Sequence, residues 1–377
     1  MKHRNILLKN INCIDVEKCC VNYNVNVLIQ NDMIINVEKA FQCTECETID
    51  CSNMFAIPSF IDMHVHITFN PYQDGDMSLK CVTSNLTEAA QVGICLVRDV
   101  GTSNRWSRDD ILRSLPPIPL PDVVMSGEPL CVKNGHGVAY GTVIDYDSIP
   151  EWVRNHKQHG YEWIKIMNDP ENHSEAFINK LVDLAHNNSM KVACHVFRKR
   201  GIELAVSCKC DSIEHVVPLE YAEEGFGVPY YIPTAYSAWV SCQNSYLESI
   251  DKEDAEYLIE WHDLLQCNFS HAVENSVKIL CGTDAGCCPS SFRDIVCEIR
   301  TLYNMGMSPT KALQAATINS AQCLGYDNLY GSIKAGKYAN IIVVPNNPLT
   351  DLNILNFPCF IYLKGIKIRD EVNGPWN

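Results

Sequence analysis

Two histidines one residue apart, His64 and His66, close the apolar run Ala56-Ile57-Pro58-Ser59-Phe60-Ile61-Asp62-Met63-His64-Val65-His66. Side chains two apart on a β-strand project from the same face. Both imidazoles would therefore meet at the strand's C-terminal tip, where neutral ring nitrogens can share one zinc or similar borderline ion. Most His-x-His pairs bind no metal, so the partners matter. Lys165 sits in Tyr161-Glu162-Trp163-Ile164-Lys165-Ile166, and His195 ends Lys191-Val192-Ala193-Cys194-His195-Val196. His215 ends Asp211-Ser212-Ile213-Glu214-His215-Val216, and Asp284 follows Ile279-Leu280-Cys281-Gly282-Thr283. Taken singly, a histidine after a strand is an ordinary loop residue, and a buried lysine or aspartate is a salt-bridge partner. At successive strand tips they form a metal-competent constellation.

Positioning that constellation requires parallel strands whose C-terminal ends converge. Residues 58–325 alternate short apolar runs with amphipathic stretches, and candidate strands fall at 58–66, 94–99, 122–126, 162–167, 191–196, 211–216, 228–233 and 278–283. Between them, 174–188 carries Phe177, Leu181, Leu184 and Ala185 on one helical face. Eight strand–helix units are the pattern of an α/β (β/α)₈ TIM-like barrel, whose chemistry sits at the strand C-termini. Residues 1–57 and 326–377 instead read as short β segments, such as Val25-Asn26-Val27-Leu28-Ile29-Gln30 and Ala339-Asn340-Ile341-Ile342-Val343-Val344. Together they predict a small β-sandwich domain built from both termini.

A chain of 377 residues with 46% hydrophobic and 20% charged content suits a barrel plus a smaller domain. Its net charge of −15 argues against nucleic acid, whose phosphates it would repel. The N-terminus lacks a signal-peptide pattern and no apolar run reaches spanning length, so a cytoplasmic location without membrane attachment is the expectation. In that compartment the 20 cysteines read as thiols, and Cys95, Cys194 and Cys281 as small hydrophobes in strands. Cys43-Thr44-Glu45-Cys46 with Cys51 is at most half of a zinc site, since no second Cys-x-x-Cys completes it. Cys287 and Cys288 closely follow the last candidate strand, within reach of the site.

The chain resembles the amidohydrolase superfamily, in its imidazolonepropionase-related, binuclear peptidase-like (prolidase-like) branch. The resemblance rests on Ile61-Asp62-Met63-His64-Val65-His66, Val97-Arg98-Asp99-Val100-Gly101, Gly135-His136-Gly137, Trp163-Ile164-Lys165-Ile166 and Gly282-Thr283-Asp284-Ala285. It extends to the tail Gly331-Ser332-Ile333-Lys334-Ala335-Gly336-Lys337-Tyr338-Ala339-Asn340. Ser59 stands where the family usually has glycine, and Asn340 where it has aspartate.

What the resemblance implies is a hydrolase of carbon–nitrogen bonds with two divalent ions, zinc first among candidates. His64, His66 and Asp284 would hold one ion and His195 and His215 the other. Lys165, carboxylated to a carbamate, would bridge them, which an ammonium without a lone pair cannot do. A hydroxide between the ions would attack the amide carbonyl, with Asp284 passing its proton to the leaving nitrogen. His136 and Tyr231 are candidate substrate contacts. The implied substrate is a dipeptide, a C-terminal residue or an N-acyl amino acid, and barrels of this kind often associate as homo-oligomers. The alternatives are a mononuclear cyclic-amide hydrolase or deaminase of imidazolonepropionase type, and a specialised amidohydrolase of a modified peptide or natural product. A non-enzymatic scaffold would show gaps among its ligands, and here all six positions are filled.

Overall fold

The computed structural model describes all residues except 1–4, 42, 44, 73–76, 169–172, 216–229, 288 and 371–377. Seven parallel strands carry the site. β6 (Phe60–Val65), β7 (Ile94–Asp99) and β8 (Asp122–Met125) form one sheet in that order. β9 (Trp163–Met167), β10 (Lys191–Val196), β11 (Ser212–His215) and β12 (Tyr230–Ile232) form a second. Buried residues run the length of β6, β7 and β9, the pattern of strands covered on both faces. Helices alternate with the strands, as at Glu175–Asn187, where the N-cap Ser174 side chain accepts from the Phe177 N–H. Its buried Phe177, Ile178, Leu181, Val182 and Ala185 pack against the strands.

The eighth candidate strand departs from expectation. Residues 278–283 form no regular strand, yet their backbone bonds to both sheets. The Tyr231 and Leu280 N–H groups donate to the Lys278 and Tyr231 carbonyls on the β12 side, at 3.0 and 2.9 Å. On the β6 side the Met63 N–H donates to the Cys281 carbonyl (2.9 Å) and the Asp284 N–H to the His64 carbonyl (2.8 Å). Between β8 and β9, the Leu130 N–H donates to the Lys165 carbonyl and the Met167 N–H to the Leu130 carbonyl, both at 2.8 Å. The fold is TIM-barrel-like α/β.

Strands from both ends of the chain share one eight-stranded sheet, where the sequence predicts a sandwich. Its order is β15 (Ile366–Asp370), β14 (Phe360–Leu363), β13 (Ile341–Val344), β5 (Phe55–Pro58), β1 (Asn5–Asp15), β2 (Cys20–Gln30), β3 (Met33–Glu38), with β4 (Glu47–Asp50) against β1. The candidate strand 58–66 therefore divides at Ser59: β5 belongs to this sheet and β6 to the parallel one. Ser59 and Asn340, the two departures from the family pattern, meet at that division, where the Ser59 N–H donates to the Asn340 carbonyl at 3.1 Å. Among the described residues no helix is long and apolar enough to cross a membrane.

Candidate metal centre

The predicted ligands come to one place, although Lys165 sits in the middle of β9 rather than at its tip and Asp284 follows a segment that forms no regular strand. His64, His66 and Asp284 are buried and their ligand atoms lie within 4.8 Å of one another. Asp284 Oδ1 stands 3.4 Å from His64 Nε2 and 3.3 Å from His66 Nε2. The pairing of β6 with β7 shifts register between Asp62 and Val65, next to His64, an irregularity of the kind that re-aims side chains beside active sites. Lys165 Nζ lies 3.5 Å from His64 Nε2. The His215 ring is 4.8 Å from that of His64 and 4.6 Å from that of His195, between centroids. All six residues line one cavity of about 160 Å³.

Two of the six adopt backbone conformations that side chains other than glycine seldom take. His215 has φ 78° and Asp284 φ 58°, both in the left-handed region. Such strain persists where surroundings over-determine it, and it concentrates at functional sites. The surroundings here are visible. The Tyr231 hydroxyl donates to the His215 carbonyl at 2.7 Å, His215 Nδ1 pairs with Thr234 Oγ1 at 2.8 Å, and the Asp284 N–H is held by His64.

Ring orientation decides which nitrogens face the centre. A carbonyl only accepts, so His66 Nδ1 carries the proton in its 3.1 Å bond to the Gly101 carbonyl. His64 Nδ1 donates to Glu214 at 2.7 Å. Each bond turns Nε2 toward the site. Burial holds the imidazoles of His64, His195 and His215 well below their usual range, with neighbouring positive charge adding to it. Burial alone would lower His66 too, but Cys287 and Asp284 beside it push it up. Lys165, fully enclosed, is lowered from the ordinary ammonium range by desolvation.

The donor set fits divalent ions. His195 Nε2 is buried without a hydrogen-bond partner, an arrangement that costs free energy unless something else occupies the lone pair. Three neutral imidazoles and a carboxylate around one space are borderline-metal ligands by type.

His136 lines the cavity and stacks on His195 at 4.9 Å and 17°. Tyr231 does not line it. Its side chain is 1% exposed and its hydroxyl donates to the His215 carbonyl, so it supports His215 from the core.

Sequence reasoning missed the ion pair behind the site. Glu214 and Arg98 are fully buried. Arg98 Nη2 donates to both Glu214 oxygens at 2.8 and 3.0 Å, and Arg98 Nε donates to the Met63 carbonyl at 2.6 Å. The guanidinium also lies 4.4 Å over the Trp163 ring. The available signal was a charged residue inside each of two apolar strands, Val97-Arg98-Asp99 and Ile213-Glu214-His215. Similarly, Asp62 accepts from the Thr283 hydroxyl at 2.6 Å and the Thr283 N–H at 3.1 Å, anchoring the segment that carries Asp284. Cys43, Cys46 and Cys51 gather no group of three potential ligands; among the described residues the one such cluster is His64, His66 and Asp284.

Comparison with known proteins agrees with this architecture. The pattern of the amidohydrolase family matches residues 55–362. An ochratoxinase of Aspergillus niger is 25% identical over 270 residues, covering 66% of this chain and 52% of that protein. The chain thus spans about half the length of that curated relative. An imidazolonepropionase of Picrophilus torridus is 18% identical over 396 residues, covering 92% of this chain and 93% of that protein. Among solved structures, a Xaa-Pro dipeptidase with methionine bound in its active site superposes with a TM-score of 0.85 at 24% identity, covering 96% of this chain and 99% of the other.

Proposed function

The chain belongs to the amidohydrolase family, and on that premise we propose that it hydrolyses an amide carbon–nitrogen bond using two divalent metal ions. The observation that carries the reading is that His64, His66, Lys165, His195, His215 and Asp284 all line one cavity. His64, His66 and Asp284 would hold one ion and His195 and His215 the other. Lys165 would bridge them as a carbamate. Its Nζ lies 3.5 Å from His64 Nε2, so an ammonium there would oppose a cation, whereas a carbamate supplies negative charge and two oxygens. Bound divalent ions would polarise the scissile carbonyl and bring water's pKa to near neutrality.

The protein's own residues do the rest. Gly101 and Glu214 fix the tautomers of His66 and His64, so that their Nε2 atoms face the centre. Asp284 Oδ1 faces those two imidazoles, and Oδ2 lies 3.5 Å from the Ser237 hydroxyl. Oδ2 takes the proton from the attacking water and returns it to the leaving nitrogen as the C–N bond breaks, giving a carboxylic acid and an amine. His136, at the wall beside His195, contacts the substrate. A dipeptide, a C-terminal residue or an N-acyl amino acid fits this scheme. The likeness to a protein described as a Xaa-Pro dipeptidase and to one named ochratoxinase supports it.

A mononuclear reading of imidazolonepropionase type has one observation behind it: His64, His66 and Asp284 form the only three-ligand group among the described residues. Elemental analysis of protein prepared with zinc and bicarbonate separates the two. Near two equivalents, falling in Lys165→Ala and partly restored by small carboxylic acids, supports the binuclear hydrolase. One equivalent, indifferent to Lys165→Ala, replaces it with the mononuclear one.

A further inference from the structure

The cavity has a second wall that the reaction scheme does not use. The helix Lys252–Glu274 presents Tyr257, Leu258 and Trp261 to it, at the three- and four-residue spacing of one helical face. Phe197, just beyond β10, packs into that face. Its ring lies 4.8 Å from Tyr257 and 5.3 Å from Trp261, the latter edge to face at 87°. Trp261 and Phe197 are 4% and 6% exposed, while Tyr257 and Leu258 are half-buried. The nearby polar residues, Ser237 and Ser241, are neutral. Among the described lining residues Lys165 is the one lysine and arginine is absent. Among the described residues this wall therefore has no cationic side chain to pair with a carboxylate or phosphate, and it offers apolar rings to cover a flat hydrophobic group.

We propose that the wall formed by Phe197, Tyr257, Leu258 and Trp261 is a substrate subsite for an uncharged aryl, or comparably flat apolar, group carried on one side of the scissile amide. The proposal deepens the hydrolase reading of the same site and rests on it. The cavity of about 160 Å³ is shared between this wall and the predicted metal ligands, so a large substrate must extend through its mouth. A ring placed there exchanges contact with water for contact with other rings, so selectivity comes from burial and shape.

The test is calorimetric binding to the zinc-loaded full chain of three probes that share an amide and a carboxylate, so that contacts to metal cancel between them. These are N-acetyl-L-alanine, N-benzoyl-L-alanine and N-acetyl-L-phenylalanine. At least one aryl probe is expected to bind about tenfold or more tighter than N-acetyl-L-alanine. Leu258→Lys should erode that advantage and tighten binding of N-(4-carboxybenzoyl)-L-alanine, a gain that misfolding cannot produce. Tyr257→Ala, on the same wall, should also erode it. Three outcomes overturn the subsite: N-acetyl-L-alanine binding within twofold of both aryl probes, an aryl advantage untouched by both substitutions, or no binding by any probe. Turnover of the same probes is scored separately. Aryl-selective binding without hydrolysis keeps the subsite and sinks the hydrolase reading, whereas equal hydrolysis of all three does the reverse.

Discussion

Replacing Glu214 by glutamine should damage both stability and metal binding, and the geometry sets the size of each effect. The carboxylate collects hydrogen bonds from His64 Nδ1 (2.7 Å), Arg98 Nη2 (2.8 and 3.0 Å) and the Ser212 hydroxyl (2.6 Å). An amide oxygen satisfies only the donors on one side. The introduced NH₂ then faces donors on the other, and the Arg98 charge loses its counterion in a site with no exposure. Removing one partner of a buried pair costs about 3–5 kcal/mol. Arg98 keeps the Met63 carbonyl, the Ser212 hydroxyl at 3.1 Å and the Trp163 ring, which places the loss for Glu214→Gln near the lower end, about 3 kcal/mol. The second effect follows from His64. Without an acceptor at Nδ1 its ring loses both orientation and tautomer, and outer-sphere losses of this kind weaken metal affinity roughly 10–100-fold. Urea unfolding of metal-free protein reads the first, and zinc competition against a chromophoric chelator reads the second. Adding Arg98→Met should recover part of the stability by removing the unpaired charge. A Glu214→Gln protein within 1 kcal/mol of wild type that binds zinc within twofold would refute the reasoning, because Glu214 would then be neither counterion nor anchor.

Asp284→Asn should keep most of its zinc, since His64 and His66 remain, yet lose at least about 100-fold in kcat through loss of the proton acceptor; near-normal turnover removes Asp284 from that role. Gly286 has φ +104°, and a Cβ there would stand 2.2 Å from the His66 carbonyl oxygen. Gly286→Ala should therefore cost at least about 2 kcal/mol in denaturant unfolding, and an unchanged midpoint contradicts the strain. His156 is buried between Trp152 and Tyr161, each 4.3 Å away, and donates through Nε2 to the Ser126 carbonyl at 2.6 Å. Burial lowers it from 6.5 to about 4. Between those values the unfolded chain binds a proton that the folded chain refuses, so stability is full above pH 6.5 and falls as pH drops toward 4. Relative to His156→Gln, unfolding free energy should decline by up to about 1.4 kcal/mol per pH unit across that window, roughly 3 kcal/mol in all; parallel pH profiles for the two proteins reject the assignment.

Local spacing made much of this protein legible. The two-residue repeat of a strand brings the His64 and His66 rings to 5.4 Å despite the register shift between Asp62 and Val65, and observed strands at Ile94–Asp99 and Lys191–Val196 coincide with the apolar runs. The helix Glu175–Asn187 follows from a 3.6-residue repeat and a serine cap. Sequence also placed His64, His195 and His215 at or beside strand ends, whereas Lys165 falls in the middle of Trp163–Met167 and Asp284 follows residues that form no regular strand.

Partners distant in the chain were decided by the tertiary structure alone. Nothing near residue 214 announces that Glu214 will meet Arg98, 116 positions earlier, and hold His64, 150 positions earlier. Tyr231 stands beside the site in sequence but lies in the core, since its hydroxyl reaches the one carbonyl that the left-handed turn at His215 presents. Residues 278–283 have strand composition but divide their hydrogen bonds between β6 and β12, a matter of where two sheets approach each other. The aromatic wall on Lys252–Glu274 reads as an ordinary amphipathic face until packing turns it toward the cavity lined by His64, His66, His195 and His215. A chain's own periodicity fixes which way a side chain points; only the closing of distant segments fixes what it points at.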